Sequence, residues 1–218
     1  MISICTGWKK IRRMDIVFYE KNSMPTTVYF VRHAEPVHSD PDDRNRPLST
    51  QGTKDSAFVL ETLCEKQIDG FYSSPYKRSL ETIQDTADFF KMYIRTDERL
   101  REREAGNAGN IKDLFRKRWA DHSFHEPGGE SIGMVQERNV AALMDILADN
   151  KGKTLVIGTH GTALSAIINF YDPSFGCDDF LRIIDWMPYI VEMKFDGEKL
   201  ISISEIAHLV RPFQPDNA

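Results

Sequence analysis

Cysteine is scarce in this 218-residue sequence. Cys5, Cys64 and Cys177 are the three present, far apart and with no CxxC among them. So scattered and odd a set indicates neither a disulfide framework nor a zinc site, and it fits a reducing cytoplasm. No apolar run approaches the roughly 20 residues of a membrane-spanning helix. Positive charge is in deficit: 28 Lys and Arg stand against 33 Asp and Glu, a net charge of −5. That argues against a general nucleic-acid binder and requires that any anionic substrate meet a local basic pocket. Internal repeats and low-complexity tracts are also missing, which excludes a solenoid or array.

What is there is ordinary for a soluble globular chain: 41% hydrophobic and 28% charged residues. The length suits one sizeable α/β core and is short for two domains. Residues 1–23 stand apart, with Lys9, Lys10, Arg12, Arg13 and Lys21 against Asp15 and Glu20. They read as an N-terminal extension to a single domain spanning 24–218, an edge strand over 15–20 being the rival reading. No amphipathic face accompanies these charges, so membrane attachment is not expected.

The stretch Thr26-Thr-Val-Tyr-Phe-Val-Arg32-His33 organises the rest. A short β-branched and aromatic run without polar alternation predicts a strand buried on both faces. Arg32 and His33 then lie where the chain leaves that strand. Carboxyl ends of strands are where open α/β sheets place ligands. A neutral imidazole is a nucleophile, and a neighbouring guanidinium grips phosphate oxygens in a planar fork.

Ser49 or Thr50 caps a predicted helix running to about residue 66. A second strand follows over 68–72, a helix over 76–91 and a third strand over 92–95. Alternating strands and helices imply a mostly parallel sheet with helices on both faces, a three-layer α/β/α sandwich. Residues 100–130 are irregular and Gly-rich, with one helical piece over 111–120, as in a lid or binding loop. Ser131 opens another helix. Residues 154–159 form a buried strand ending in His160-Gly161, where a further helix begins. Asp196-Gly197 joins two late strands, 189–195 and 199–204, as an antiparallel edge pair.

In such a sheet the strand ends carrying His33 and His160 share one rim. The helix opening at Gly161 offers free N–H groups that attract an anion. Arg78 enters on the first turn of the helix after Ser73-Ser74-Pro75, and Glu102 follows the third strand. Two His, two Arg and one Glu therefore gather there.

These pieces resemble the histidine phosphatase superfamily, also called phosphoglycerate mutase-like. The matching residues are Val31-Arg32-His33-Ala34-Glu35, Pro47-Leu48-Ser49 with Gly52, and Ser73-Ser74-Pro75 with Arg78. They continue with Leu100-Arg101-Glu102 and Gly106, Gly128-Gly129-Glu130-Ser131, and His160-Gly161. The resemblance implies His33 as nucleophile, Arg32, Arg78 and His160 as holders of the phosphoryl group, and Glu102 as proton donor. Gly, not Asp, follows His160, as in the branch named after the mutases. Relatives often carry Asn where Ser39 stands here, and Ser39 is still able to donate a hydrogen bond. The insertion typical of cofactor-dependent mutases is missing, which favours a phosphatase acting on a small phosphorylated metabolite. Divergence around Ala105-Gly106-Asn107-Ala108-Gly109 blurs the substrate side.

The roles agree chemically. Two guanidiniums and an imidazole neutralise a phosphate dianion, so neither metal nor cofactor is expected. Catalysis of phosphoryl transfer is mainly positioning and charge stabilisation. Other readings were weighed against these. His38 with Asp40, or His122 with His125, lacks a helical spacing that would bring two metal ligands together. Lys112, Arg116, Lys117 and Arg118 read first as a solvated basic face. A phosphoglycerate mutase is the enzyme rival, and a non-catalytic phosphate-binding protein on the same fold the rival of another class. Oligomeric state is not legible.

Overall fold

A computed structural model describes residues 24–108 and 112–212. The extension read over 1–23 lies outside the described residues. Six strands form one mixed sheet: β1 (Thr26–Arg32), β2 (Gly70–Ser73), β3 (Ile94–Thr96), β4 (Thr154–Thr159), β5 (Trp186–Asp196) and β6 (Lys199–Val210). Their order is β3-β2-β4-β1-β5-β6. β1 and β4 pair in parallel, as do β2 and β4, and β2 and β3. β5 runs antiparallel to both β1 and β6.

Helices α1 (Thr50–Leu63), α2 (Lys77–Phe89), α3 (Lys112–Ala120), α4 (Ile132–Asp149), α5 (Gly161–Tyr171) and α6 (Cys177–Arg182) complete the fold. Side chains alternate across a strand, so β1 feeds two cores. Tyr29 and Val31 pack with Val59 and Leu63 of α1 and Ile83 and Ala87 of α2. Val28 and Phe30 pack with Leu143 and Leu147 of α4 and Leu164 and Ile167 of α5. The central strand is thus apolar in both directions, and the expected three-layer sandwich with an antiparallel edge pair is what forms. Fully burying each such side chain contributes about 1.5–3 kcal/mol.

Local signals explain most element ends. Ser49 caps α1, its hydroxyl accepting from the Gly52 amide and donating to the Glu35 carboxylate. Ser131 caps α4 by accepting from the Met134 amide. Three details differ from expectation. β3 starts at Ile94, not residue 92, because the Met92 amide still bonds back to the Ala87 carbonyl as α2 unwinds. The edge hairpin is longer than expected, and α6 is an element the sequence pattern did not announce. The basic helix is not simply a solvated face either. Arg118 is 1% exposed and donates twice to the Glu126 carboxylate, while Phe115 and Trp119 of the same helix enter the core. Arg116 does stay exposed, pairing with Asp178.

Candidate active site

The carboxyl ends of β1, β2 and β4 open into one cleft of about 510 Å³. Arg32, His33, Arg78 and Glu102 line it together with Tyr76 and His38. The end of β1 delivers Arg32 and His33, the first turn of α2 delivers Arg78 and a loop delivers Glu102, while His160, at the end of β4, is not among the cleft-lining residues and lies beside His33. The rings of His33 and His160 lie 5.3 Å apart.

His33 leaves β1 held by its amide, which donates to the Thr159 carbonyl. Its Nδ1 lies 2.7 Å from the Ala34 carbonyl. A carbonyl can only accept, so Nδ1 carries the proton and Nε2 keeps its lone pair. Burial, followed by the charges of Arg78 and Arg32, holds this imidazole well below its ordinary value. His33 is therefore neutral near neutral pH, with the Nε2 lone pair unprotonated.

His160 is fully buried. Its Nε2 lies 2.8 Å from the Ser74 hydroxyl, which already accepts from the Tyr76 amide. Ser74 keeps its own proton and a second lone pair, so it can either donate to Nε2 or accept from it; donation would leave the His160 proton on Nδ1. Nδ1 has no hydrogen-bond partner. Burial and then Arg78 depress the His160 value as well. Tyr76 stands edge-on to His160 at 5.2 Å, with the Arg78 guanidinium 5.1 Å from its ring centre.

The two guanidiniums are held differently. Arg32 donates to the carbonyls of Ile183 and Ile184 at 2.7 and 3.0 Å, in the turn between α6 and β5. Burial pulls it down to about 10, so it stays charged at neutral pH. Arg78 donates to the Asp43 carbonyl and lies 3.2 Å from the Asp43 carboxylate. Asp43 thus occupies a cation that a phosphate would use, and nothing in the sequence pattern singled it out.

Three expectations take a different form. Gly161 does not line the main cleft: a Cβ there would meet the Arg32 guanidinium carbon at 3.2 Å, so glycine makes room for Arg32. The anion at the start of α5 is Glu102 itself. Its carboxylate accepts from the Thr162 and Ala163 amides at 3.0 and 3.1 Å, and from the Arg103 amide at 2.8 Å. A carboxylate offers about four lone-pair sites, so one remains for a substrate. Ser39 is exposed and is not among the cleft-lining residues, whereas its neighbour His38 is. Of the rival metal pairs, His122 packs edge-on against Trp119 and His125 lies beside the Glu126 carbonyl. Among the described residues no three His, Cys, Asp or Glu side chains cluster as metal ligands.

The sequence matches the histidine phosphatase superfamily (branch 1) over residues 28–176. The chain belongs to the histidine phosphatase superfamily. Among its superfamily relatives is phosphoserine phosphatase 1 of Hydrogenobacter thermophilus. It is 27% identical over 177 residues, covering 68% of this chain and 81% of that protein. Phosphoglycerate mutase-like protein 4 of Arabidopsis thaliana is 31% identical over 165 residues, covering 70% of each. A mycobacterial glucosyl-3-phosphoglycerate phosphatase shares the fold with a TM-score of 0.67 at 18% identity, covering 86% of this chain and 98% of that one. Arg32, which the superfamily match contains, reaches its carbonyl partners Ile183 and Ile184 beyond the matched residues.

Proposed function

We propose that this chain is a metal-independent phosphatase that hydrolyses a small phosphomonoester through a phosphohistidine on His33. One observation carries the reading: a buried imidazole whose Nδ1 is tied to the Ala34 carbonyl, set between Arg32 and Arg78 and beside His160. His33 Nε2 attacks phosphorus as the ester oxygen leaves in line. Glu102 gives that oxygen its proton, then takes one from the water that attacks the phosphohistidine. His33 is released and inorganic phosphate forms. Arg32, Arg78 and the Nδ1–H of His160 stabilise the equatorial oxygens throughout. Free Cys64 and Cys177 and the acidic balance support a cytoplasmic enzyme of small metabolites, without nucleic acid or membrane partners. Among the described residues no helix is long and apolar enough to cross a membrane.

The test is a panel of phosphorylated metabolites assayed for released phosphate, with and without chelator. Rapid quench should trap an acid-labile, alkali-stable adduct on His33. An adduct on Ser or Asp, or full loss with chelator restored by a divalent metal, overturns the proposal. The mutase-like name of one relative motivates a second assay, with 3-phosphoglycerate and catalytic 2,3-bisphosphoglycerate. Isomerisation outpacing phosphate release would make the mutase reading the correct one.

A further inference from the structure

Glu102 sits on an irregular loop, yet a proton donor must hold its place to a fraction of an ångström. The means of holding it lies outside the cleft. Arg138, on α4, uses all five of its guanidinium N–H groups on this loop and its anchor. Nη1 donates to the Arg99 and Arg101 carbonyls at 2.8 and 2.7 Å. Nη2 donates to the carbonyl of Glu102 itself at 2.9 Å. Nε and the remaining Nη2 proton go to the Glu130 carboxylate at 2.9 and 2.8 Å. Glu130 closes the frame from the other side, accepting from Arg101 Nη1 and from the Glu104 amide. Burial alone would raise the Glu130 carboxyl, but the hydrogen bonds from Arg138 and the Glu104 amide overcome that and hold it down at about 2. The frame is thus charged at every working pH. Arg138 and Glu130 side chains are 15% and 11% exposed, so water competes weakly for these bonds.

We propose that Arg138 is the positioning residue of the proton donor, fixing the Glu102 backbone so that its carboxylate rests at the start of α5 with one lone-pair site left for the leaving oxygen. This rests on the reading of Glu102 as proton donor. A planar five-donor fork meets three carbonyls and a carboxylate at once; an ammonium cannot. Arg138 is not among the cleft-lining residues and acts chiefly through Glu102, although its charge also reaches His160.

Leaving-group dependence tests this. Arg138→Gln, Arg138→Lys and Glu102→Gln are compared with wild type on p-nitrophenyl phosphate and on the fastest alkyl ester among β-glycerol phosphate, phosphoserine and 3-phosphoglycerate. The nitrophenolate leaves without a proton, whereas the alkoxide needs one. Arg138→Gln is expected to lower kcat on the alkyl ester by about tenfold or more with KM within about twofold. On p-nitrophenyl phosphate the burst rate of nitrophenolate release, which reports the first step without the Glu102-assisted hydrolysis of the phosphohistidine, should stay within about threefold, and Arg138→Lys should fall between Gln and wild type. In a Glu102→Gln background, Arg138→Gln should cost less than about twofold further. Equal losses on both substrates, or full additivity with Glu102→Gln, overturn the proposal. If Arg138→Gln does not fold, Glu130→Gln, which keeps the three carbonyl bonds and weakens the anchor, must show the same selectivity. A Glu102→Gln variant that itself discriminates between neither ester refutes the proton-donor reading. A selective Glu102 effect beside an unselective Arg138 effect refutes only the positioning role.

Discussion

The two sides of the cleft are built on opposite plans. On the phosphate side, His33, Arg32, Arg78 and His160 leave the ends of regular elements, and each is held by one or two short contacts. Carbonyls of Ala34, Ile183 and Ile184, the hydroxyl of Ser74 and the single residue Asp43 supply those contacts. On the other side, Glu102, the proposed proton donor, rides on a loop held by Arg101, Arg138 and Glu130. The first side is preorganised by secondary structure, the second by a charge network. Strand and helix ends fix direction cheaply, but a loop needs many bonds converging from elsewhere to reach the same precision.

The difference can be broken experimentally, starting with the phosphate side. His33→Ala should cost on the order of ten-thousandfold or more in turnover on every ester, with loss of the trapped adduct. Retained turnover would remove the nucleophile from the scheme. Glu102→Ala should cost on the order of a hundredfold on alkyl phosphates and much less in the burst of nitrophenolate from p-nitrophenyl phosphate, where only the first step is read. Equal losses would mean that Glu102 only shapes the site, and would make Glu104, two residues on, the next candidate acid.

Protonation sharpens the contrast. His33 and His160 have folded values well below the ordinary imidazole range. Below about pH 6.5 the unfolded chain therefore binds more protons than the folded one, and stability falls as pH drops. The slope is up to about 1.4 kcal/mol per pH unit for each imidazole. Urea unfolding at pH 7.5, 6.5 and 5.5 should show it, and His160→Gln should flatten it. The free enzyme should at the same time keep its nucleophile unprotonated through pH 6.5, so kcat/KM should not fall there on account of His33. An unchanged slope in His160→Gln would place the proton uptake elsewhere. Last and smallest, Asp43→Asn should tighten inhibition by inorganic phosphate about two- to fivefold, the size of a partly exposed ion pair. Weaker inhibition would show that Asp43 orders Arg78 and does not compete with phosphate.

The same contrast governs what could be read from the chain. The run into Arg32-His33, the His160-Gly161 strand end and the Ser49 and Ser131 caps are local signals with local causes. They yielded the sandwich and the shared rim. Arg138 lies on a helix, eight residues from Glu130, and no spacing marks it as the residue that reaches back to Arg99, Arg101 and Glu102. Asp43 looked like any loop aspartate because its partner is 35 residues away, and α6 was too short to show a period. Gly161 stands out in the sequence as the residue after a strand-end histidine, and the structure adds a contact that this pattern does not show. Its neighbour in space is the Arg32 guanidinium, a relation set by the packing of β1 beside α5.

Arg32 is separated from the carbonyl of Ile183 by 151 residues, and β1 has both of its partner strands, β4 and β5, late in the chain. A ribosome adding about 5–20 residues per second leaves roughly 8–30 s between making Arg32 and making its acceptor. Through most of synthesis the nascent chain therefore carries the apolar strand β1 without a neighbouring strand, and the proposed nucleophile His33 without a formed site. Such a strand is the surface on which incomplete chains aggregate. Translation halted between residues 160 and 183 would release a chain that contains His33, Glu102 and His160 and yet lacks the Ile183 and Ile184 carbonyls that hold Arg32.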